Sequence, residues 1–424
     1  MTKPPYPRGW TAGSQVTGPA VAAGYARNVN LDNGNSNWND QDNHNQALAV
    51  RASECETVSF AALHRAYHAA RGGKKPSAEQ LAFEANRLDE LLDLQDDLSA
   101  HTWHPGAPTC FIVTDPKHRQ IHAPPFADRV VHHLVVPMLE RIYERTFIHD
   151  SYSNRRGKGT HAAVRRLQQF VRQVDSGQGG GYYLQLDIAN FFNSIHRPTL
   201  WRLLKPRMER ARLPQWAQRA THALLNWPLE RTGVRWACTP AQREAVPPHK
   251  RLENAPSGRG IAIGNFSSQF FANVYLDRLD QYIKHVLKVP RYLRYVDDFV
   301  LVHKDRAQLQ EWLLRIQEFL QTELLLELKA DRRLRPLRDG IDFLGYIVRP
   351  THTVVRRRVV SHCRAKLRQF QRHADFSHSA LERLRSVWSS YAGHFTHARC
   401  WRLCGRLHSS FPWLARALNP KDPL

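Results

Sequence analysis

The segment RYVDDFVLVH, residues 294–303, places two adjacent carboxylates, Asp297 and Asp298, in a run that otherwise alternates like a buried strand. Like charges in contact repel each other, and moving a carboxylate out of water is costly unless a cation lies nearby. A bound metal ion would resolve the conflict. Two adjacent acids taken alone, however, are more often a solvated turn, so the surrounding sequence has to decide.

The charge balance favours a polyanionic partner. Lys and Arg number 61 against 38 Asp and Glu, which gives a net charge of +23 and a pI near 10.2, as is typical of nucleic-acid-binding proteins. No apolar run approaches the roughly 20 residues of a membrane-spanning helix, and the amino terminus MTKPPYPRGW has no signal-peptide core. We therefore expect a cytoplasmic protein without a membrane partner.

The hydrophobic pattern predicts a polar amino-terminal segment followed by several helices. Residues 1–52 include eight asparagines between positions 28 and 45, and such a polar segment is predicted to be disordered. Ser77 and Gln80 suggest a capping box, and Leu81, Leu88, Leu91 and Leu92 recur at helical spacing, which together predict one helix over 77–98. Further helices are predicted over 128–144, 267–286 and 307–323.

The middle of the chain predicts an antiparallel sheet. Residues 181–187 alternate like a strand that ends near Asp187, and two short strands around Asp297 and Asp298 predict a hairpin with the acids at its turn. Another strand is predicted over 340–348. The order strand, helix, hairpin, helix, strand favours an α+β fold in which helices cover an antiparallel sheet, the layout of a polymerase palm.

The carboxyl-terminal segment, residues 351–424, is predicted to be basic and helical. It combines cations with the aromatic residues Trp388, Tyr391, Phe395 and Trp401. This mixture suits a nucleic-acid groove, but an ordinary helical bundle with a basic face would give the same pattern. Both interpretations remain open at this stage.

Three acids could support phosphoryl transfer. The two-metal route needs carboxylates that hold two Mg²⁺ ions roughly 3.5 to 4 Å apart, and Mg²⁺ prefers hard oxygen ligands while keeping several waters. Asp187, Asp297 and Asp298 would supply such ligands if the strand and the hairpin are neighbours. Mn²⁺ is a possible substitute.

Two motifs around these acids resemble those of reverse transcriptases. YVDD, which includes Tyr295 and Val296, resembles the Y-x-D-D hairpin of these enzymes, and LDIANFF resembles their first acid motif, with an aromatic residue five places after the acid. The resemblance implies an RNA-directed DNA polymerase with fingers (53–180), palm (181–350) and helical thumb (351–424). It also implies that the three acids are catalytic metal ligands and that Phe192 is the steric gate against ribonucleotides.

Other blocks extend the resemblance. FIHDSYSNRRGKGTHAAV, residues 147–164, resembles the fingers block, in which Arg155, Arg156 and Lys158 would bind the triphosphate of a dNTP, since guanidinium and ammonium groups match phosphate oxygens. GIDFLGYIV, residues 340–348, resembles the primer-grip hairpin, whose residues here are Phe343, Leu344 and Gly345.

The block GIAIGNFSSQFFANVYLDRLD, residues 260–280, indicates which group of reverse transcriptases the chain resembles most. Group II intron enzymes usually carry proline after the G-x-x-x-S core, formed here by Gly264 and Ser268, whereas this chain has Gln269. IGNFSSQ resembles reverse transcriptases of diversity-generating retroelements, in which the position of Gln269 affects fidelity. This resemblance implies error-prone copying, frequent at adenines, of a template-repeat RNA into cDNA, and a small basic accessory protein. The partners would then be template RNA, the RNA/cDNA duplex and dNTPs.

Two alternatives remain. One is a retron-like or phage-defence reverse transcriptase, and the other is a catalytically inactive RNA-binding scaffold, although a binding module gains nothing from acids placed near phosphate. Relatives often carry a lysine that protonates the leaving group, and here the corresponding stretch runs from Lys329 to Arg332 and Arg333, which leaves that role open. The insertion over 205–257 contains no interpretable motif.

Overall fold

The computed structural model describes residues 57–72, 75–114, 117–175, 180–227, 233–373 and 377–418. These residues form two compact units, one ending at Thr353 and the other beginning at Val354. The asparagine-rich segment that was predicted to be disordered lies outside the described residues. Within the described ranges, no helix is long and apolar enough to cross a bilayer.

Both units are described by their helices and strands in chain order. The helices are α1 Phe60–Arg71, α2 Ala78–Ala85, α3 Arg87–Ser99, α4 Phe126–Tyr143, α5 Thr160–Asp175, α6 Phe191–Ser194, α7 Arg197–Arg210, α8 Gln215–Leu225, α9 Pro240–Glu244, α10 Phe266–Gln281, α11 Arg306–Glu323, α12 Arg357–His373, α13 His378–Thr396, α14 Trp401–Ser410 and α15 Trp413–Leu418. The strands are β1 Thr109–Val113, β2 Arg119–Ala123, β3 Tyr182–Asp187, β4 Arg235–Trp236, β5 Tyr292–Tyr295, β6 Asp298–His303, β7 Arg333–Pro336, β8 Ile341–Phe343, β9 Tyr346–Val348 and β10 Thr353–Val355.

The predicted helix over 77–98 is two helices, α2 and α3, separated at Asn86. The break changes the buried face, so Leu91 is buried while Leu81, Leu88 and Leu92 are exposed. The Ser77 side chain accepts a hydrogen bond from the backbone N–H of Gln80, but the Gln80 side chain donates to Glu84. The capping box is therefore only half formed, and the predicted apolar face was largely wrong.

The central sheet has the order β5-β6-β3-β7, and all of its pairs are antiparallel. Its buried apolar side chains, among them Leu184, Leu186, Phe299 and Leu301, join one core with those of α10 and α11. The fourth strand is β7, whereas the predicted strand over 340–348 is the separate hairpin β8-β9. The prediction of a single strand over 340–348 was therefore wrong, whereas the hairpin that the resemblance implied there is present. Strand β7 was not predicted because its sequence, RLRP, is largely charged and carries no strand pattern.

Helix α10 begins at Phe266 and runs into one turn of π-helix, Tyr282–Val286. Almost every face of α10 is buried, as expected for a helix at the centre of a large core. The insertion over 205–257 contains the end of α7, α8 and α9, and its strand β4 pairs in parallel with β1. The sheet β2-β1-β4 is therefore completed by a segment that the sequence did not explain.

The second unit is helical, as predicted for the carboxyl-terminal segment. On α12, Cys363 and Leu367 are buried while Lys366, Arg368 and Arg372 are exposed. Trp388 and Phe395 are buried within the unit, whereas Trp401 is 57% exposed and lies beside Arg402. Two of the four aromatic residues therefore stabilise a helical bundle, and Trp401 remains accessible on the surface.

Candidate active site

The three acids meet at one end of the central sheet. Asp187 is the last residue of β3 and lies directly opposite Asp298 in the antiparallel register. Tyr295 pairs with Asp298 across the β5-β6 hairpin, so Val296 and Asp297 form its two-residue turn. Directly opposed residues in an antiparallel pair have Cα atoms about 4.5 to 5.5 Å apart. The fold thus brings together side chains that are more than a hundred positions apart in the sequence.

The turn that carries Asp297 adopts an unusual backbone conformation. Val296 has a φ of 55°, a region that β-branched residues strongly avoid. Its carbonyl oxygen accepts a hydrogen bond of 2.9 Å from Nη1 of Arg294. Such conformations persist only where the surrounding structure enforces them, so the Arg294 contact helps to hold the turn.

Burial, with the repulsion between neighbouring carboxylates, raises the affinity of two of these acids for protons. Burial raises the pKa of Asp298 to about 7, with repulsion from Asp187 and Asp297 adding to the effect and the hydrogen bond from Gln185 opposing it. Burial and the Asp187 charge likewise raise the pKa of Asp297. Nε2 of Gln185 donates to Asp298 at 3.1 Å and to the carbonyl oxygen of Asp342 at 3.0 Å. A divalent cation would favour the ionised carboxylates and so oppose both the burial effect and the repulsion.

Lys329 provides the local positive charge. Its backbone N–H donates to the Asp187 carbonyl oxygen at 2.8 Å, and its ammonium group contacts Oδ2 of Asp187. Oδ1 of Asp187 is buried without a hydrogen-bond partner. Among the described residues, no group of three or more His, Cys, Asp or Glu side chains has a ready metal-binding arrangement, and the ammonium group occupies the position beside Asp187.

The chemistry of this donor set nevertheless fits a divalent metal. All three side chains offer hard carboxylate oxygens, one buried oxygen has no partner, and the group carries excess negative charge. Mg²⁺ needs only a few protein oxygens because it keeps several of its waters. Asp187, Asp297 and Asp298 are therefore the residues that would hold it.

The predicted triphosphate-binding residues lie on the loop between α4 and α5, but they are not equivalent. Only 6% of the Arg155 side chain is exposed. Its guanidinium pairs with Glu144 at 2.7 Å and donates to the carbonyl oxygens of Ile148 and Ser151. Arg155 therefore fastens the loop and is not available for phosphate, because Glu144 and the two carbonyl oxygens already engage all three of its nitrogens.

The other two cations of the loop are more accessible. Arg156 is exposed. Lys158 donates to the carbonyl oxygen of His149 at 3.0 Å and lies over the Tyr152 ring, and burial and the neighbouring Arg155 lower its pKa. The role of Arg156 and Lys158 in nucleotide binding stays a prediction.

Phe192 and Gln269 are both partly buried, Phe192 in α6 and Gln269 in the first turns of α10. The carbonyl oxygen of Phe192 accepts a hydrogen bond from the backbone N–H of Ile261, so the predicted steric gate is joined to the segment that leads into α10. Ser268 is buried beside Gln269.

Gly264 has a φ of 126°, and a Cβ there would lie 2.9 Å from the carbonyl oxygen of His122. Because an L side chain would be strained at this φ and would meet the backbone of β2, the position requires glycine. The predicted contribution of Gly264, Ser268 and Gln269 to fidelity is not tested by this geometry.

The remaining predicted residues lie in two hairpins. The Tyr295 hydroxyl accepts a hydrogen bond from Thr160 at the start of α5. Phe343 pairs with Tyr346 across β8-β9, and Leu344 and Gly345, with φ values of 50° and 89°, form the tight turn. Positive φ at both turn positions is the conformation that matches strand twist in short hairpins. The primer-grip assignment stays a prediction.

Sequence reasoning missed three residues that shape this centre. Gln185 binds Asp298, and Arg294 forms a buried ion pair with Asp280 at 2.6 Å. The available signal was polarity in unexpected places: a glutamine inside YYLQLD, an arginine just before YVDD, and an aspartate on an otherwise buried helix. Buried polar groups need partners: Arg294 and Asp280 satisfy each other, and Nε2 of Gln185 has acceptors, although its Oε1 is buried without one.

Comparison with known proteins identifies the family. Residues 114–348, more than half of the chain, match the model of the reverse transcriptases, described as RNA-dependent DNA polymerases. Protein YkfC of Escherichia coli K12 is 24% identical over 316 residues, which cover 66% of this chain and 76% of YkfC. The group II intron-encoded protein LtrA of Lactococcus lactis subsp. cremoris is 24% identical over 225 residues, 52% of this chain and 32% of LtrA.

Solved structures of telomerase are also similar to this chain. That of Candida albicans, in complex with a fragment of telomeric RNA, has a TM-score of 0.41 at 11% identity and covers 74% of this chain and 59% of that chain. That of Candida tropicalis has a TM-score of 0.40 at 9% identity and covers 59% of this chain and 55% of that chain. The chain thus spans about a third of LtrA and under two thirds of each telomerase chain.

The family match agrees with the antiparallel sheet backed by helices, and the predicted α+β right-hand polymerase fold is confirmed. The chain belongs to the reverse transcriptase family.

Proposed function

We propose that this protein is an RNA-directed DNA polymerase that extends a DNA primer on an RNA template by two-metal nucleotidyl transfer. The observation that carries the proposal is the register of β3 and β6, which sets Asp187 opposite Asp298 with Asp297 in the adjoining turn. A cluster of carboxylates without a cation is electrostatically unfavourable, and a nucleic-acid-binding protein has little reason to keep one unless metal ions use it.

The chain's own residues have distinct parts in this reaction. Asp187, Asp297 and Asp298 would hold the divalent ions, Mg²⁺ or Mn²⁺, which when bound supply positive charge to the attacking 3′ hydroxyl and to the leaving pyrophosphate. Gln185 fixes the Asp298 carboxylate through its hydrogen bond. Lys329, whose ammonium group contacts Asp187, lies close enough to the metal ligands to balance charge on the phosphates.

Nucleotide binding is assigned to the loop between α4 and α5 and to the start of α10. The exposed Arg156 and the partly exposed Lys158 would contact the triphosphate, while Arg155 secures the loop that presents them. Phe192 would exclude ribonucleotides by its bulk, and Gln269 would contact the base pair that is being formed. Phe343, Leu344 and Gly345 would support the primer strand, and the exposed cations of α12 would bind the backbone of the RNA/cDNA duplex.

The finer proposal is error-prone copying of a template-repeat RNA, as in diversity-generating retroelements. It rests on the form of the IGNFSSQ block, with Gln269 where group II intron enzymes usually carry proline. A small basic accessory protein belongs to this proposal. It is supported by α3, where Leu88 and Leu92 are exposed on a helix that carries Asp89, Glu90 and Asp93 in a chain that is otherwise strongly basic.

Primer extension on a defined RNA template tests the activity. Wild type should make cDNA in Mg²⁺, and Asp297→Ala should lose at least about 10³-fold in rate, because the loss of a metal ligand removes most of the stabilisation of the transition state. Asp339→Ala, which removes an exposed acid, should match wild type. Equal cDNA yields from wild type and Asp297→Ala would favour an inactive RNA-binding scaffold.

Sequencing the cDNA tests the finer proposal. Errors should concentrate opposite template adenines, and Gln269→Ala should change their frequency while extension continues. An even error spectrum that is insensitive to Gln269→Ala would favour a retron-like or phage-defence enzyme.

A further inference from the structure

Arg294 forms a buried ion pair with Asp280. It lies immediately before the turn formed by Val296 and Asp297, called the acidic turn below. The side chains of Arg294 and Asp280 are 1% and 0% exposed. Nε donates to Oδ1 of Asp280 at 2.8 Å and Nη2 donates to Oδ2 at 2.6 Å, and the Tyr292 hydroxyl donates to the same carboxylate at 2.6 Å. Two charges so far from water are tolerated only with near-complete hydrogen bonding, so this pair fixes the guanidinium firmly.

The donors that remain reach the turn and its surroundings. Nη1 donates to the carbonyl oxygen of Val296 at 2.9 Å and to Oδ1 of Asn273 at 3.3 Å, and Nη2 donates to Oγ of Ser151 at 3.2 Å. All five guanidinium N–H groups therefore have acceptors. The Val296 carbonyl belongs to the peptide bond whose nitrogen is that of Asp297, so Arg294 sets the plane of the peptide that precedes a predicted metal ligand.

The backbone of Arg294 connects the acidic turn to the segment that leads into the loop between α4 and α5. Its N–H donates to the carbonyl oxygen of Asp150 and its carbonyl oxygen accepts from the N–H of Tyr152, both at 2.9 Å. Residues 150–152 lead directly into the loop that carries Arg156 and Lys158. A single residue thus joins α10, the acidic turn and the proposed triphosphate-binding loop.

We propose that Arg294, fixed by Asp280, is a positioning residue that holds the strained Val296–Asp297 peptide and so sets the geometry with which Asp297 and Asp298 bind divalent metal. Its effect on catalysis rests on the proposed polymerase function, but its effect on metal binding does not. A buried ion pair that only stabilised the core would not need to reach the turn.

A second ion pair provides a matched control. Asp277 lies on α10 near Asp280, is buried, and lies 3.7 Å from Nη2 of Arg207. None of the hydrogen bonds or ion pairs described for these two side chains reaches the acidic turn. Removing this pair should perturb the same helix without releasing the Val296 carbonyl.

The test compares three variants of the full chain with wild type. Arg294→Met combined with Asp280→Leu removes both charges, and such apolar replacement of a buried pair usually preserves the fold. Arg294→Lys keeps the charge but cannot satisfy Asp280 and Val296 together, because an ammonium group lacks the fork of a guanidinium. Arg207→Met combined with Asp277→Leu is the control. Mn²⁺ binding by calorimetry, kcat and KM for dNTP, and thermal unfolding are measured for each.

The proposal predicts that both Arg294 variants fold, bind Mn²⁺ at least about tenfold more weakly, and lose on the order of 10²-fold in kcat, while the control stays within about twofold of wild type. Wild-type Mn²⁺ affinity and kcat in a folded Arg294 variant would overturn it. Unfolding of both Arg294 variants beside a folded control would make the pair purely structural and would also overturn it. If wild type makes no cDNA but the Mn²⁺ affinities still differ as predicted, the polymerase function fails and the positioning role stands.

Discussion

Replacing Asp298 with asparagine should stabilise the metal-free protein at alkaline pH. Burial and the neighbouring acids raise the pKa of Asp298 from 3.8 to about 7. Between those two pH values the folded state retains a proton that the unfolded state has released. The free energy of unfolding of the wild type therefore falls as the pH rises through this window, and a neutral amide removes that loss.

The magnitude follows from the two pKa values. A difference between 3.8 and about 7 corresponds to about 4 kcal/mol. Because the Asp298 side chain is partly accessible to solvent and titrates together with its neighbours, we expect about half of this. Asp298→Asn should gain about 2 kcal/mol over wild type at pH 8 and less than about 1 kcal/mol at pH 5.

Urea unfolding followed by circular dichroism in the presence of EDTA measures this difference at both pH values. Asp339→Asn, which replaces an exposed acid, is the control and should track wild type. Added Mg²⁺ at pH 8 should stabilise wild type more than Asp298→Asn. The ion neutralises the ionised carboxylates of the folded protein, and the variant has one carboxylate fewer to bind it. Equal or lower stability of Asp298→Asn at pH 8, or an advantage over wild type that grows towards pH 5, would contradict a raised pKa of Asp298.

Four further substitutions probe other parts of the site. Gly264→Ala should destabilise the protein by about 1 to 3 kcal/mol in urea unfolding, because the new Cβ would lie 2.9 Å from a backbone carbonyl oxygen; unchanged stability would contradict the strain argument. Arg155→Ala should cost about 2 kcal/mol of stability, whereas Arg156→Ala should leave stability unchanged and raise the KM for dNTP about tenfold; the reverse pattern in unfolding and steady-state kinetics would exchange their roles. Lys329→Met should tighten Mn²⁺ binding several-fold in calorimetry, because it removes the ammonium group beside Asp187; weaker binding would show that Lys329 supports the metal site.

Local patterns were enough to predict the acidic hairpin and most of the long helices. The alternation around Asp297 and Asp298 predicted two strands, and α4 and α11 begin and end within about two residues of their predicted bounds. These elements are long or strongly periodic, so neighbouring residues alone determine them. The meeting of Asp187 with the hairpin needed the family resemblance as well, because nothing local fixes which strands pair.

Long-range contacts account for the errors. Strand β7 belongs to the sheet only because it pairs with β3, and its charged sequence gives no sign of this. Arg155 was grouped with its neighbours on charge alone, but Glu144 and two carbonyl oxygens occupy it. The partners of Arg294 lie on α10 and in the loop near Ser151, and tertiary packing sets distances of this kind, which spacing along the sequence does not encode.

Diffraction from crystals soaked in Mn²⁺, recorded at the manganese absorption edge, tests most directly whether the three carboxylates form a metal centre. Anomalous peaks are expected within coordination distance of the Asp187, Asp297 and Asp298 carboxylates, with the Lys329 ammonium group displaced from Asp187. Absence of manganese from this end of the central sheet, with peaks only elsewhere on the protein, would contradict it.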